Sequence, residues 1–183
     1  MQAPGLPGGV TFFSLAEASN TPRCVFITDT EAPIFMAKLQ GTGVTTANDM
    51  SVWMLSSFSG LQLLAREGDQ MAGAGTGVVF DRINRIAANR YGEIVVEASI
   101  RGPGIDSTND VGLWALNYSR LYVPVVQKGN RFEVEPGVMR TVNQATLAVG
   151  DPDYYSTGAD GRSTVFNRLR QIAFHTSFLD NTI

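Results

Sequence analysis

A block of sequence recurs at a fixed spacing in this chain of 183 residues, and this repeat constrains the fold more than any other feature. Residues 41–55 return in altered form at residues 102–116, so that Asn48 and Asn109 lie 61 positions apart. A repeat of this size is typical of an architecture built from one supersecondary unit, in which each unit needs a neighbour to bury its apolar face. The sequence therefore predicts stacked copies of one unit.

The repeat extends over most of the chain. Three further pairs of segments continue it: residues 64–69 with 125–130, 2–12 with 70–80, and 89–96 with 167–174. The second pair has an offset of 68 instead of 61, so the first copy carries about seven extra residues between Phe13 and Glu31. We therefore divide a single domain into four parts, which are repeat 1 at 2–69, repeat 2 at 70–130, a junction at 131–160 and a partial repeat 3 at 161–183.

Each full copy is predicted to form four short antiparallel strands. In the second copy these strands are residues 78–88, 93–100, 112–116 and 121–127. Asn89 and Gly92 bound a tight turn between the first two, because Asn bonds its own following backbone and Gly adopts positive φ at little cost. No stretch shows a convincing helical period, apart from short ambiguous pieces such as residues 51–64. The chain is therefore predicted to be nearly all β.

Repeated four-stranded units suggest the blades of a β-propeller, in which sheets stack radially and their middle strands are buried on both faces. The apolar runs at residues 94–96 and 172–174 fit such burial, and Trp53 and Trp114 share one repeat position that predicts packing between neighbouring sheets. A β-sandwich is the alternative, since alternating strands with turns look alike in sequence.

Several of these segments resemble a known family. They are Ala65-Arg-Glu-Gly-Asp-Gln70, Gly77-Val-Val-Phe80, Gly102-Pro-Gly-Ile-Asp-Ser-Thr-Asn-Asp110, a Gly-Leu-Trp, and an Asn-x-x-Gly-x-x-Ala-Phe-like motif that starts at Asn89. Together they resemble the choice-of-anchor tandem repeat family of bacterial surface or secreted proteins. In the third copy, the motif has Asn167, Ala173 and Phe174, with Arg170 where Gly is expected. The resemblance implies an exported or surface-anchored protein of many repeats and implies no activity.

Composition and charge exclude several classes of protein. With 44% apolar and 17% charged residues, the chain can build a core. A net charge of −3 argues against a nucleic-acid surface, which needs a basic face. No apolar run approaches the roughly 20 residues that span a bilayer, and residues 1–7 do not resemble a signal peptide. We expect the chain to be a fragment of a longer repeat protein, or to self-associate through the open edges of incomplete sheets.

The loop at residues 106–110 holds the best candidate ligands for a metal ion. Asp106, Asn109 and Asp110 could supply oxygen ligands to calcium, which takes six to eight of them. The counterpart loop at 45–49 keeps only Asn48 and Asp49 of this set. The competing interpretation is that these side chains cap their own turns. Residues 151–160 form a second oxygen-rich segment, interpreted as a surface connection.

Catalytic groups are sparse in this sequence. His175 is the single histidine, which excludes a multi-histidine metal site, and Cys24 is the single cysteine, predicted to be a small buried residue. The sequence therefore favours a non-catalytic scaffold that presents loops to a protein or glycan partner and needs no cofactor. The alternative is a calcium-dependent propeller hydrolase or lyase, which would require the loops at 45–49, 106–110 and 151–160 to converge.

Overall fold

The computed structural model describes residues 1–15, 25–28, 32–148 and 165–180, and within them it contains strands and no helix. The strands are β1 (Thr11–Leu15), β2 (Val25–Ile27), β3 (Pro33–Gln40), β4 (Met50–Ser56), β5 (Gly60–Arg66), β6 (Val79–Ala88), β7 (Ile94–Arg101), β8 (Val111–Leu116), β9 (Tyr122–Gln127), β10 (Arg131–Glu135), β11 (Val138–Leu147) and β12 (Phe174–Phe178). The predicted all-β class is confirmed. The described residues include no helix of the length and apolarity that crossing a membrane requires.

The strands form three antiparallel sheets. Sheet 1 has the order β1-β3-β4-β5, with β2 also paired to β3; sheet 2 has the order β6-β7-β8-β9; and sheet 3 has the order β10-β11-β12. The four strands predicted for the second copy match sheet 2 to within one residue at each end. β1 and β2 together occupy the edge of β3 that corresponds to the position of β6 on β7. The extra residues predicted between Phe13 and Glu31 lie partly outside the described residues.

Sheets 1 and 2 repeat the same strand register. Ile34 lies opposite Met54 in sheet 1, and Val95 lies opposite Ala115 in sheet 2, each 61 positions later. A register shift next to Trp53 on β4 recurs next to Trp114 on β8. Because such shifts re-aim side chains and are rarely accidental, the shared positions show that the sequence repeat is a structural repeat.

Part of the predicted junction at 131–160 is regular sheet. β10 and β11 lie inside this range, and β11 pairs with β12. The amide of Gly129 donates to Val142 O at 2.9 Å, as the amide of Gly68 donates to Phe80 O at 2.8 Å where the chain passes from sheet 1 to sheet 2. β11 is therefore the counterpart of β6, although its sequence is too different from β6 for the repeat to be recognised there.

Apolar side chains hold the sheets face to face. One core joins residues of sheets 1 and 2, among them Val52, Phe80 and Trp114, and a second joins sheets 2 and 3, among them Val95 and Val142. A third cluster around Trp53 lies on the other face of sheet 1. The sheets consequently stack in chain order, which fits both the sandwich-like and the partial-propeller predictions.

The middle strand of sheet 2 is buried as predicted, whereas the equivalent segment of sheet 3 is not. Ile94, Val95 and Val96 are all at most 1% exposed. In contrast, Ala173 is exposed and β12 begins only at Phe174. The two segments differ in burial because β7 has a strand on each side, β6 and β8, whereas β12 pairs only with β11 among the described strands.

Candidate functional site

The predicted calcium ligands lie in the loop between β7 and β8, where two of them hold the turn together. Asn109 Oδ1 accepts from the Asp106 amide at 2.8 Å, and Asn109 Nδ2 donates to Gly104 O at 2.9 Å. Asp106 Oδ1 accepts from the amide of Thr108 at 2.8 Å and from its hydroxyl at 2.6 Å. These bonds lower the pKa of the exposed Asp106 carboxyl. The contacts are those of turn capping.

The third predicted ligand forms an ion pair. Asp110 Oδ1 lies 3.7 Å from Lys128 Nζ, and the equivalent Asp49 Oδ2 lies 3.8 Å from Lys38 Nζ. The described residues contain no group of three or more His, Cys, Asp or Glu side chains placed to hold a metal ion. In both sheets the equivalent asparagine and aspartate side chains bond the turn or pair with a lysine. Calcium binding by the loop at 106–110 stays a hypothesis.

Other candidates from the sequence are separate from this loop. His175 is exposed on β12. Cys24, which was predicted to be buried, lies outside the described residues. Residues 151–160 also lie outside them, so the predicted convergence of this loop with those at 45–49 and 106–110 stays a prediction. Both tryptophans are confirmed as core residues: Trp53 is fully buried, with its Nε1 donating to Ser51 Oγ at 2.8 Å, and Trp114 is 3% exposed.

A different site lies between sheets 1 and 2, which we call the β5–β9 cleft. It has a volume of about 390 Å³ and is lined by side chains of both sheets, including Gln62, Arg66, Asp69, Leu116, Arg120 and Tyr122. Phe80 and Tyr122 pack edge to face with ring centroids 5.0 Å apart. The Tyr122 hydroxyl donates to Leu64 O at 3.1 Å, and burial raises the pKa of this phenol, which keeps it protonated. Tyr122 therefore contributes a packed aromatic ring and a neutral hydroxyl to the cleft.

Arg120 reaches the cleft from a turn of unusual backbone geometry. Its φ is +60°, a left-handed conformation that is costly for a residue with a Cβ. Asn117 Oδ1 accepts from the amides of Ser119 at 2.9 Å and Leu121 at 3.0 Å, and these bonds hold the turn between β8 and β9. Arg120 Nη2 then donates to Gln62 Oε1 of sheet 1 at 2.6 Å.

A second arginine and a carboxylate line the other end of the cleft. Arg66 Nε donates to Asn48 O at 2.9 Å, and the charge of Arg66 acts on Asp69. Partial burial raises the pKa of Asp69, while Arg66 acts in the opposite direction. Two guanidinium groups and one carboxylate leave the described lining with a net positive charge when all three are ionised.

Three asparagines of the described residues begin the same turn. Asn89, Asn117 and Asn167 each begin a five-residue turn with equivalent backbone bonds, and the fourth residue has positive φ in every copy. That residue is Gly92 in the first case, but it is Arg120 and Arg170 in the other two.

Arg170 also reaches a neighbouring sheet, at a smaller cleft of about 180 Å³ between sheets 2 and 3. Its Nε donates to Glu93 Oε1 at 2.7 Å, and the Tyr118 hydroxyl donates to the same oxygen at 2.8 Å. Burial opposes ionisation of Glu93, but bonds from Asn89, Arg170 and Tyr118 outweigh it and lower its pKa. Arg170 is thus neutralised by a carboxylate, whereas the only side-chain hydrogen bond of Arg120 among the described residues is to a neutral amide.

Sequence reasoning found the motif at Asn89 and at Asn167, where Arg170 takes the place of Gly, but it missed the equivalent turn that contains Arg120. The signal was present in Asn117-Tyr-Ser-Arg120, which has the same spacing as Asn89-Arg-Tyr-Gly92. The pairing of Arg120 with Gln62 could not be seen, since it depends on how two sheets stack.

Comparison with known proteins adds family membership and no activity. No curated protein matches this chain, and no solved structure matches it. The model of one family, described as a family of unknown function (DUF7453), matches residues 1–183. Because this match covers the whole chain, the protein belongs to the DUF7453 family.

Proposed function

We propose that this chain is a non-catalytic β-repeat scaffold of a secreted or surface-anchored bacterial protein and that it binds a glycan in the β5–β9 cleft. The exported location follows from the resemblance to choice-of-anchor repeats. The stacked sheets would be consecutive blades of a partial propeller, and the cleft would lie between two blades.

The cleft itself carries this proposal. Its volume of about 390 Å³ is within the range of small-ligand sites, which runs from roughly 300 to 1,000 Å³. Its lining combines apolar side chains with guanidinium, amide and carboxylate groups. Sugars present both an apolar C–H face and directional hydroxyls, so this mixture suits them. A concave site of this size favours a glycan over a protein partner, which typically needs a contact of about 800 Å² on each side.

The distribution of carboxylates supports a binding role over hydrolysis. Asp69 is the one carboxylic acid among the described residues that line the cleft. Most glycosidases act through a pair of carboxyl groups that flank the scissile bond.

Two buried glutamates instead join sheets. Glu67 Oε1 accepts from the Ile83 amide of sheet 2 at 2.9 Å, and Glu97 Oε2 accepts from the Leu147 amide of sheet 3 at 2.9 Å. These bonds between sheets support a rigid scaffold.

A retention experiment tests the proposal. The purified chain is mixed with a panel of insoluble neutral and acidic polysaccharides, in calcium and in EDTA, and the bound protein and any soluble fragments are measured. We expect retention on at least one polysaccharide under both conditions, with no fragments released. Calcium-dependent release of fragments would instead establish the alternative, a calcium-dependent hydrolase or lyase. Failure to bind every member of the panel would refute glycan binding.

A further inference from the structure

Among the described residues, Arg120 and Arg170 occupy left-handed backbone positions, and a carboxylate partner is found there for Arg170 alone. Arg120 has φ +60° and Arg170 has φ +62°, at the position that Gly92 fills in the turn that starts at Asn89. A left-handed conformation is unfavourable for a residue that has a Cβ. Backbone strain of this kind is often retained at sites that bind ligands. Arg170 has an evident structural role in its ion pair with Glu93, at 2.7 Å.

Arg120 has no equivalent structural explanation. It donates to the neutral Gln62 Oε1 and remains exposed at the mouth of the β5–β9 cleft. Gln62 is itself held by the Ser59 hydroxyl, at 2.6 Å from Gln62 Nε2. The guanidinium is therefore oriented by a fixed amide while most of its donors stay available. An oriented guanidinium with open donors is suited to a carboxylate, which it can bind through two parallel hydrogen bonds.

The cleft extends along β5 from this arginine. Gln62 and Arg66 lie four residues apart on the strand, so the two ends of the lining are separated by about 13 Å. Arg66 and Asp69 stand at the far end, where they offer donors and an acceptor for hydroxyl groups. Leu64 lies between Gln62 and Arg66 on β5. Leu116 of sheet 2 also lines the cleft. A ligand that fits is elongated, carries hydroxyl groups along its length and has a negative charge near Arg120.

We propose that the β5–β9 cleft binds an acidic oligosaccharide, with a uronate carboxylate paired to Arg120. This inference rests on the proposed glycan binding and specifies its ligand class. Arg120 is the residue that selects charge, while the remainder of the cleft contacts the sugar rings.

The test uses uronate oligosaccharides of alginate, hyaluronate and polygalacturonate, each with its methyl-esterified form. Esterification removes the charge and leaves the sugar unchanged. By calorimetric titration we expect at least one free acid to bind about tenfold or more tightly than its ester, the size of effect that one charged hydrogen bond produces. Equal affinity for acid and ester would overturn the proposal.

Two matched variants assign the effect to Arg120. Arg120→Gly removes the guanidinium and the backbone strain together, so we expect the preference for the acid to disappear while the melting temperature is unchanged or higher. Arg170→Gly makes the same change in the other cleft and should leave the affinity unaltered. Retention of the acid preference in Arg120→Gly would contradict the assignment. Binding of neutral polysaccharides alone would defeat this inference and leave glycan binding intact, whereas binding of no polysaccharide at all would defeat both.

Discussion

At the scale of single residues, the repeat places equivalent side chains in different surroundings. Trp53 and Trp114 occupy the same position next to the same register shift. Trp53 packs on Phe12, with ring centroids 5.0 Å apart, in the cluster on one face of sheet 1. Trp114 belongs to the core between sheets 1 and 2. The position in the repeat therefore determines that each tryptophan is buried, while the neighbouring sheet or segment determines which residues it contacts.

Removing Trp114 should be strongly destabilising. Trp114→Ala leaves a cavity between two sheets, and we expect the free energy of unfolding to fall by about 3–5 kcal/mol. Chemical denaturation at equilibrium measures this change. Phe58, which is fully exposed, provides the control, since Phe58→Ala should stay within about 0.5 kcal/mol of the parent. Similar losses in the two variants would show that Trp114 is not a core residue.

At the scale of elements, the asparagine turn connects successive strands and also joins sheets. Asn89 Oδ1 accepts from the amides of Tyr91 at 3.0 Å and Glu93 at 3.1 Å. Its Nδ2 donates to Glu93 Oε2 at 2.6 Å and to Asn167 O, in the equivalent turn next to sheet 3, at 3.3 Å. The equivalent Asn117 makes the local bonds in an exposed setting. The local turn is thus common to these copies, but its contribution to stability depends on burial.

Replacing Asn89 and Asn117 by alanine should separate the contribution of the local turn bonds from that of burial. Asn89 is 4% exposed, so Asn89→Ala leaves buried polar groups without partners and should cost about 1–3 kcal/mol. Asn117→Ala exposes the same backbone groups to water and should cost about 0.5–1.5 kcal/mol. Thermal and urea unfolding of both variants provide the comparison. An equal loss would mean that burial and the contact with Asn167 contribute nothing.

At the scale of the whole molecule, buried and partly buried carboxylates link the stacked sheets. Their contributions to the free energy of unfolding depend on pH in opposite directions. Burial raises the pKa of Glu67 and Glu97, and the backbone bonds to Ile83 and Leu147 only partly counteract it. Their folded states hold protons more tightly than the unfolded chain does. Glu93 behaves in the opposite way, because its pKa is lowered.

The self-association predicted from incomplete sheets, like the propeller arrangement, stays a prediction.

The pH dependence of stability follows from these directions. The carboxyls of Glu67 and Glu97 have a pKa of 4.5 in the unfolded chain and a higher pKa in the folded state. Their contribution to the free energy of unfolding is therefore fully present below pH 4.5, and it is lost as pH rises through the higher, folded-state pKa. The contribution of Glu93 is present above pH 4.5 and is lost as pH falls through its lowered pKa.

Denaturation curves across pH, from below the unfolded glutamate pKa to neutrality, test these signs. Glu67→Gln and Glu97→Gln should each remove part of the decline with rising pH, since glutamine does not titrate. Profiles of the buried-site variants that run parallel to the parent would rule out this linkage.

The sequence alone determined the local architecture of this protein. The 61-residue repeat predicted the strands of sheet 2 and the burial of both tryptophans, because turn residues and strand patterning act over a few positions and recur with them. The turn at Asn89 could be predicted for the same reason. β10 and β11 were missed, since their residues depart from the repeat while their backbone pairing is retained.

The stacking of the sheets and the residues that meet between them depend on contacts between distant parts of the chain. The cleft joins Gln62 and Arg120, which are 58 positions apart in the chain and belong to different sheets. Likewise, the buried bonds of Glu67 and Glu97 depend on which backbone amide of the next sheet faces each carboxylate. Contacts of this kind arise from packing between elements, and the spacing of residues within one repeat carries no information about them.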